Sequence, residues 1–148
     1  MSSAHLLDVN ILIYLHLVDL PQHKPTGLWL KKLLANNGRI AVSSMAFSGF
    51  VRIVTNPKSF VVPTKLEDAF EFVDDLRQSG YCDACEPGER HWGIFQDLCV
   101  AHRIVGPDIT DAYFAALAME SGAIWVSTDA DFKRYPGLRW INPLAVTS

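Results

Sequence analysis

The alternation of short apolar segments with longer helical patterns is the feature that most constrains the fold. The apolar segments have the length of buried strands, and they are residues 5–7, 39–43, 81–85, 123–127 and 138–141. Between them, residues 110–121 form the most apolar helical pattern, which is typical of a helix buried on most sides. Strands and helices that alternate at this spacing favour an α/β domain with a parallel sheet.

Capping residues and breakers predict where two of the helices begin. We expect Ser44 to cap a helix that ends at Asn56-Pro57, because a proline cannot donate the next helical hydrogen bond. Thr64 and Glu67 match a capping box, in which each side chain pairs with an unpaired backbone amide of the first turn. These signals predict helices close to residues 44–55 and 65–79.

The size and charge of the chain restrict the function classes. A length of 148 residues suits one domain, which we expect to span residues 1–148. The formal net charge of −3 argues against a broad basic groove that binds nucleic acid by phosphate neutralisation alone. Any chemistry on nucleic acid would therefore need a metal ion or a local basic patch.

The expected location is the cytoplasm. The three cysteines are an odd number in a chain too large to need disulfides, which favours a reducing compartment. No segment approaches the run of about 20 apolar residues that crosses a bilayer, so we expect no membrane association.

Four aspartates occupy positions where an unpaired charge is costly. Asp8 follows an apolar strand, Asp129 and Asp131 follow the strand at residues 123–127, and Asp111 opens the buried helix. The carboxyl ends of adjacent parallel strands meet at one edge, where these carboxylates would repel one another unless a cation held them together. Oxygen ligands suit Mg²⁺ or Mn²⁺, and such an ion could activate a water for phosphodiester cleavage.

Structural roles explain the same aspartates without a metal. Asp108 and Asp111 could serve only as an N-cap and a first-turn acid that complements the helix dipole, and this is the preferred interpretation for Asp108. Asp129 and Asp131 could be turn residues. The spacing alone leaves both alternatives open.

Four motifs in order make the chain resemble the PIN-domain ribonucleases, specifically the VapC toxins of bacterial toxin–antitoxin pairs. The motifs are L-L-D-V-N-I-L-I-Y at residues 6–14, G-F-V-R-I-V-T-N-P at 49–57, T-D-A-Y-F-A-A-L-A at 110–118 and S-T-D-A-D-F-K-R-Y-P-G-L-R-W-I-N-P-L at 127–144. The resemblance implies a PIN-like three-layer α/β/α domain with a central, mainly parallel sheet of about four or five strands. It also implies a Mg²⁺- or Mn²⁺-dependent endoribonuclease that acts on RNA, forms a homodimer and is neutralised by a cognate VapB-type antitoxin.

The resemblance also assigns roles to individual residues. It places metal ligands at Asp8, Asp111 and Asp129, and a further catalytic carboxylate at Asp131. Supporting positions carried over with them are Thr128, which could orient a water or a carboxylate, Asn10, which could fix Asp8 by a hydrogen bond, and Arg52, near the pocket. For Asn10 a simple helix-start role, and for Arg52 a surface or carboxylate-paired role, explain the residue equally well.

One departure from the family pattern motivates an alternative function. Family members commonly carry a glutamate in the helix after the second strand, and alignment on G-F-V-R puts Phe47 at that position. The alternative is therefore a catalytically weak PIN-fold binding module that lacks one acidic ligand. A haloacid-dehalogenase-like phosphatase is disfavoured, because it needs an aspartate where this chain has Asn10.

Overall fold

The computed structural model describes residues 3–145, and residues 1, 2 and 146–148 lie outside that range. Its elements, in chain order, are β1 (His5–Leu7), α1 (Val9–His16), α2 (His23–Ala35), β2 (Ile40–Val42), α3 (Ser44–Val54), α4 (Leu66–Arg77), β3 (Cys82–Ala84), α5 (His91–His102), α6 (Asp108–Ser121), β4 (Ile124–Val126), a 3-10 helix (Ala130–Arg134) and β5 (Trp140–Ile141). The strands form one sheet in the order β3-β2-β1-β4-β5, and all four neighbouring pairs are parallel. The expectation of a parallel α/β fold with about five strands is confirmed.

The register of the two central strands determines which side chains meet at the carboxyl edge of the sheet. Leu7 of β1 lies opposite Val126 of β4. The residues that follow them, Asp8 and Ser127, therefore leave the sheet side by side, and Asp8 N–H donates to the Val126 carbonyl at 2.9 Å.

The core lies between the sheet and its helices. Leu6, Leu7, Trp125 and Val126 are fully buried on the central strands. Helix α6 buries six residues between Ala112 and Ala118, in agreement with its apolar sequence, and its Phe114 ring stacks on Trp125 at a centroid distance of 5.1 Å. Helix α6 packs against α5, whereas α1 packs against α2 and α3.

The predicted cap of α3 is wrong by one residue. Ser43 is the N-cap, and its hydroxyl accepts a 3.0 Å hydrogen bond from Ala46 N–H. Ser44 instead donates from its N–H and its hydroxyl to Glu86, at 2.6 and 2.8 Å. Ser44, which the local sequence favours as the cap, thus hydrogen-bonds instead to Glu86, which is distant in sequence.

The predicted capping box is also wrong. Helix α4 begins at Leu66, and its N-cap residue, Lys65, makes no side-chain capping bond. The Thr64 hydroxyl lies 3.1 Å from His16 Nε2, so it ties the loop before α4 to α1. The hydroxyl is therefore used in a tertiary contact.

None of the helices in the described part of the chain is long and apolar enough to cross a membrane. The cysteines at positions 82, 85 and 99 are free thiols. Burial raises the pKa of each of these thiols above its ordinary value.

Candidate functional site

Asp8 is the buried centre of the site at the carboxyl edge of the sheet. It is 9% exposed and forms the N-cap of α1, where its Oδ1 accepts a 2.7 Å hydrogen bond from Val9 N–H. Its Oδ2 accepts a 2.7 Å hydrogen bond from the Ser127 hydroxyl. Both carboxylate oxygens are thus held in fixed positions between β1 and β4.

Ser127 is a residue that the sequence analysis missed. It is fully buried, and besides donating to Asp8 its hydroxyl accepts from Asp129 N–H at 3.0 Å and from Asn10 Nδ2 at 3.2 Å. Ser127 therefore connects the two predicted carboxylates that follow β1 and β4. The position of Ser127 could have identified it, because it lies one residue beyond β4 and opposite Asp8 in a parallel pairing.

Asn10 contacts Asp8 directly, whereas Thr128 is connected to it through Asn10. Asn10 Nδ2 is 3.4 Å from Asp8 Oδ2, and Asn10 Oδ1 accepts from Thr128 N–H at 3.4 Å. The Thr128 hydroxyl lies 3.5 Å from the Tyr14 hydroxyl. The hydroxyl that contacts Asp8 belongs to Ser127, whereas the Thr128 hydroxyl contacts that of Tyr14.

Asp129 and Asp131 differ in their surroundings although they are two residues apart. Asp129 is half-buried and caps the 3-10 helix, where its Oδ1 accepts from Asp131 N–H at 2.9 Å. Asp131 is exposed, and its Oδ2 lies 3.8 Å from the Arg134 guanidinium. Asp131 therefore occupies the rim of the site.

Asp111 faces this edge from the first turn of α6. Burial, followed by the negative charges of Asp129 and Asp108, raises the pKa of Asp111 to about 6, and Arg134 partly opposes the rise. Asp108 also lies in the first turn of α6 rather than at its N-cap, which is Pro107, and it is 3.7 Å from Arg134. Helix α6 thus points a half-buried acid toward the residues that follow β4.

The same physical causes act on Asp8. Burial raises the pKa of Asp8 to about 6, although the hydrogen bonds from Ser127 and Val9 lower it. The charges of Asp111 and Asp129 add to the rise. The negative charges of Asp111 and Asp129 therefore act against the ionisation of Asp8, and a cation among these carboxylates would relieve this repulsion.

The donor atoms fit a hard divalent cation. They are carboxylate oxygens, which Mg²⁺ and Mn²⁺ prefer. Within residues 3–145, no three His, Cys, Asp or Glu side chains converge closely enough to hold an ion by themselves. Mg²⁺ is commonly held by only one or two carboxylates together with waters and substrate phosphates, so Asp8 with Asp111 or Asp129 would suffice.

The position of Phe47 on α3 differs from that expected of a residue aligned with an acidic metal ligand. The Phe47 side chain lines a groove between α3 and α4, together with Val51 and Val73, and it does not line the small pocket beside Asp8. The α3 residue that lies against α1 beside Asp8 is Gly49, where a Cβ atom would be 3.0 Å from Val9 Cγ2. An acid at position 47 would therefore face the α4 groove, but α3 carries no Asp or Glu at any position and so adds no carboxylate to this site.

Comparison with known proteins gives the family. The PIN domain model matches residues 5–138. Ribonuclease VapC43 of Mycobacterium tuberculosis is 38% identical over 138 residues, which cover 93% of this chain and 94% of the relative. Ribonuclease VapC25 of the same organism is 34% identical, over 93% of this chain and 97% of its own.

Solved structures share the fold. The VapBC2 complex from Rickettsia felis, bound to a DNA fragment from its promoter, matches with a TM-score of 0.72 at 23% identity, over 94% of this chain and 98% of the matched one. VapC20 of Mycobacterium tuberculosis, a toxin that cleaves the sarcin-ricin loop, matches with a TM-score of 0.64 at 14% identity, over 88% and 94% of the two chains. The chain therefore belongs to the PIN-domain family, among the VapC ribonucleases.

Proposed function

We propose that this chain is the endoribonuclease toxin of a toxin–antitoxin pair and that Asp8, Asp111 and Asp129 form its active site. Metal-dependent RNA cleavage is the general activity of its family. The observation that carries the assignment of residues is the raised pKa, about 6, of both Asp8 and Asp111, which come from different elements and repel across one edge of the sheet. Acids with perturbed pKa values cluster at functional sites.

The role that we propose for each aspartate follows from how deeply its side chain is buried. Asp8 is fixed by Val9 N–H and Ser127, so it is the most rigid oxygen donor of the site. Asp111 and Asp129 are more exposed and would complete the binding of the cation. Asp131, paired with Arg134 at the rim, would influence the site through charge.

The proposed cofactor is one or more Mg²⁺ or Mn²⁺ ions. When bound, such an ion would supply charge neutralisation and an activated water for phosphodiester hydrolysis. The chain's own contribution is to hold Asp8 in one orientation and to keep Asp8 and Asp111 in surroundings that disfavour uncompensated negative charge, which a cation would neutralise.

The alternative, a catalytically weak binding module, is motivated by the absence of an acidic ligand on α3. Phe47 itself lines the α3–α4 groove, but no other residue of α3 is an acid that could take the place of the missing ligand. We favour an active enzyme over a binding module, because one or two carboxylates together with waters and substrate phosphates are enough to hold Mg²⁺.

The proposed protein partner is a VapB-type antitoxin, by relation to the VapBC complexes that share this fold. A basic side chain of the antitoxin, inserted among the carboxylates, would replace the cation and block the RNA. We further propose that residues 1–148 act as one domain in the cytoplasm and form a homodimer. The single sheet and single apolar cluster of the described residues support the one-domain proposal.

The decisive experiment is cleavage of total RNA by the purified protein, free of antitoxin, with Mg²⁺, Mn²⁺ or EDTA. We expect discrete fragments with either ion, none with EDTA, and none with Asp8→Asn or Asp129→Asn. The matched control is Asp75→Asn, which removes an exposed carboxylate of α4 far from this edge. Fragments that persist in EDTA or in both site variants would contradict the proposal.

A second experiment tests whether a VapB-type antitoxin binds the protein and blocks this site. A co-expressed VapB-type antitoxin is expected to co-elute with the protein in gel filtration and to abolish the cleavage. An antitoxin that co-elutes with Asp8→Asn as tightly as with wild type, yet leaves the wild-type cleavage intact, would contradict blockage at this site.

A further inference from the structure

A small pocket adjoins the carboxylates on the side of α3. Its volume is about 200 Å³, and its floor is formed by Val9, Gly49 and Phe114, with Met45 beside them. We call this cavity the Gly49 pocket. It contains none of the aspartates, but Val9 follows Asp8 and the pocket residue Thr110 precedes Asp111. Whatever fills the pocket therefore lies next to the reacting groups.

The rim of the Gly49 pocket is polar. Ser48, Arg52 and Thr110 line it, and all three are exposed. The two hydroxyls can each donate and accept a hydrogen bond. Arg52 supplies a positive charge at the border of an acidic edge, and within residues 3–145 it forms no salt bridge.

Gly49 keeps this pocket open. A glycine in the interior of a helix costs roughly 0.5–1 kcal/mol relative to alanine, so its place in α3 calls for a reason. A Cβ atom at position 49 would lie 3.0 Å from Val9 Cγ2, so a side chain there would press on α1 and occupy the floor of the pocket.

We propose that the Gly49 pocket binds one nucleobase of the RNA strand, next to the cleaved phosphodiester, while Arg52 holds the phosphate of that nucleotide. The proposal rests on the function proposed above. An apolar floor suits the face of a planar ring, and hydroxyls at the rim suit the hydrogen-bonding edge of a base. The volume is below the roughly 300–1,000 Å³ of pockets that enclose drug-sized ligands, so it fits a single ring system better than a longer segment.

The charge distribution supports the same assignment. The carboxylates repel RNA phosphates when no cation is present, and the chain as a whole has a net charge of −3. A local guanidinium at the border of the site would offset this repulsion for one phosphate by a charge-assisted hydrogen bond. Phosphate contacts position the strand, whereas the base in the pocket would set the sequence preference of cleavage.

The first experiment measures the base preference of cleavage separately from the amount of RNA cleaved. A randomised single-stranded RNA pool is cleaved and the fragment ends are sequenced, for wild type, Gly49→Ala and Met45→Ala. We expect the base preference at one position beside the cut to change in both variants, because one narrows the pocket and the other widens it. The control is Gly27→Ala in α2, where a Cβ would meet nothing within 4 Å, and it should keep the wild-type preference.

Binding gives a readout that does not depend on cleavage. In EDTA, labelled RNA oligonucleotides are titrated with protein and followed by fluorescence anisotropy. Arg52→Gln should weaken binding about tenfold for all sequences and reduce the salt dependence by about one phosphate contact. Lys31→Gln, which removes an exposed cation of α2, is the matched control.

The outcomes distinguish this inference from the function on which it rests. Cleavage with an unchanged base preference and unchanged oligonucleotide affinity in Gly49→Ala and Met45→Ala would overturn the pocket and leave the nuclease intact. A wild-type protein that cuts no RNA, but binds oligonucleotides with a preference that changes in Gly49→Ala, would support the pocket and overturn the function. Absence of RNA binding in EDTA together with absence of cleavage in Mg²⁺ and Mn²⁺ would overturn both.

Discussion

Ser127 donates a 2.7 Å hydrogen bond to Oδ2 of Asp8, although the two residues lie 119 positions apart in the sequence. The parallel pairing of β1 with β4 creates this contact, since each residue follows the last position of its strand. The bond stabilises the ionised form of a carboxylate that burial disfavours. The orientation and the charge of Asp8 therefore depend on a residue of another strand.

Ser127→Ala should raise the pKa of Asp8 further above 6, because it removes a hydrogen bond that favours the ionised form. The buried Oδ2 also loses its closest donor, so we expect a loss of about 1–3 kcal/mol in the free energy of unfolding at pH 7. NMR titration and denaturant unfolding measure the two effects. Thr128→Ala is the control, since its hydroxyl makes only a 3.5 Å contact to Tyr14, and an equal or larger effect there would contradict the assignment.

The pH dependence of stability should be partly set by Asp8. Its pKa is about 6 in the folded protein and about 4 in an unfolded chain, so the folded state binds more protons between these two pH values. The free energy of unfolding of the metal-free protein therefore falls as pH rises from about 4 to 6, by up to about 3 kcal/mol, and stays low above that window.

Asp8→Asn should flatten this part of the stability curve. Urea unfolding at several pH values between 4 and 8, in EDTA, measures the effect. Asp75→Asn, in an exposed position of α4, should retain the wild-type slope. A slope of the opposite sign in wild type, or an equal change in both variants, would refute the role of Asp8.

Sequence patterns predicted the elements of this fold because the apolar pattern of each segment agrees with the structure it adopts, and because strands and helices alternate regularly. The sequence predicts Asp8, Asp111 and Asp129 as ligands because each follows or opens a strongly apolar segment. Ser127 was missed because a small polar residue after a strand carries no charge that demands an explanation. Helix caps were misplaced where side chains such as Ser44 and Thr64 have partners distant in sequence.

The position of Phe47 gives a further example, because an alignment carries no information about the face of the helix. Phe47→Ala should leave the affinity for Mn²⁺ unchanged, since the side chain lies in the α3–α4 groove. It should cost about 1–2 kcal/mol of stability, less than the roughly 3–5 kcal/mol of a fully buried phenylalanine. Calorimetric titration with Mn²⁺ and denaturant unfolding check the two expectations. A tenfold change in Mn²⁺ affinity would place Phe47 back at the metal edge.

Arg134 is expected to control how metal binding depends on pH. Its guanidinium lies 3.7 Å from Asp108 and 3.8 Å from Asp131, and it lowers the pKa of Asp111. Two consequences of Arg134→Gln act in opposite directions. The loss of a positive charge raises the affinity for a cation when every carboxylate is ionised, whereas the higher pKa of Asp111 lets protons compete more strongly with the cation at lower pH.

The affinity of Arg134→Gln for Mn²⁺ should therefore exceed that of wild type at pH 8 and fall more steeply between pH 8 and pH 6. Little of the effect should appear in stability, because exposed ion pairs contribute only about 0–1 kcal/mol. Calorimetric titration at three pH values gives the slope. Lys133→Gln, whose ammonium lies over the Trp140 ring, removes an equal charge from the neighbouring position and should keep the wild-type slope. A uniform change in affinity at all three pH values would mean that Arg134 acts through charge alone and not through the protonation of Asp111.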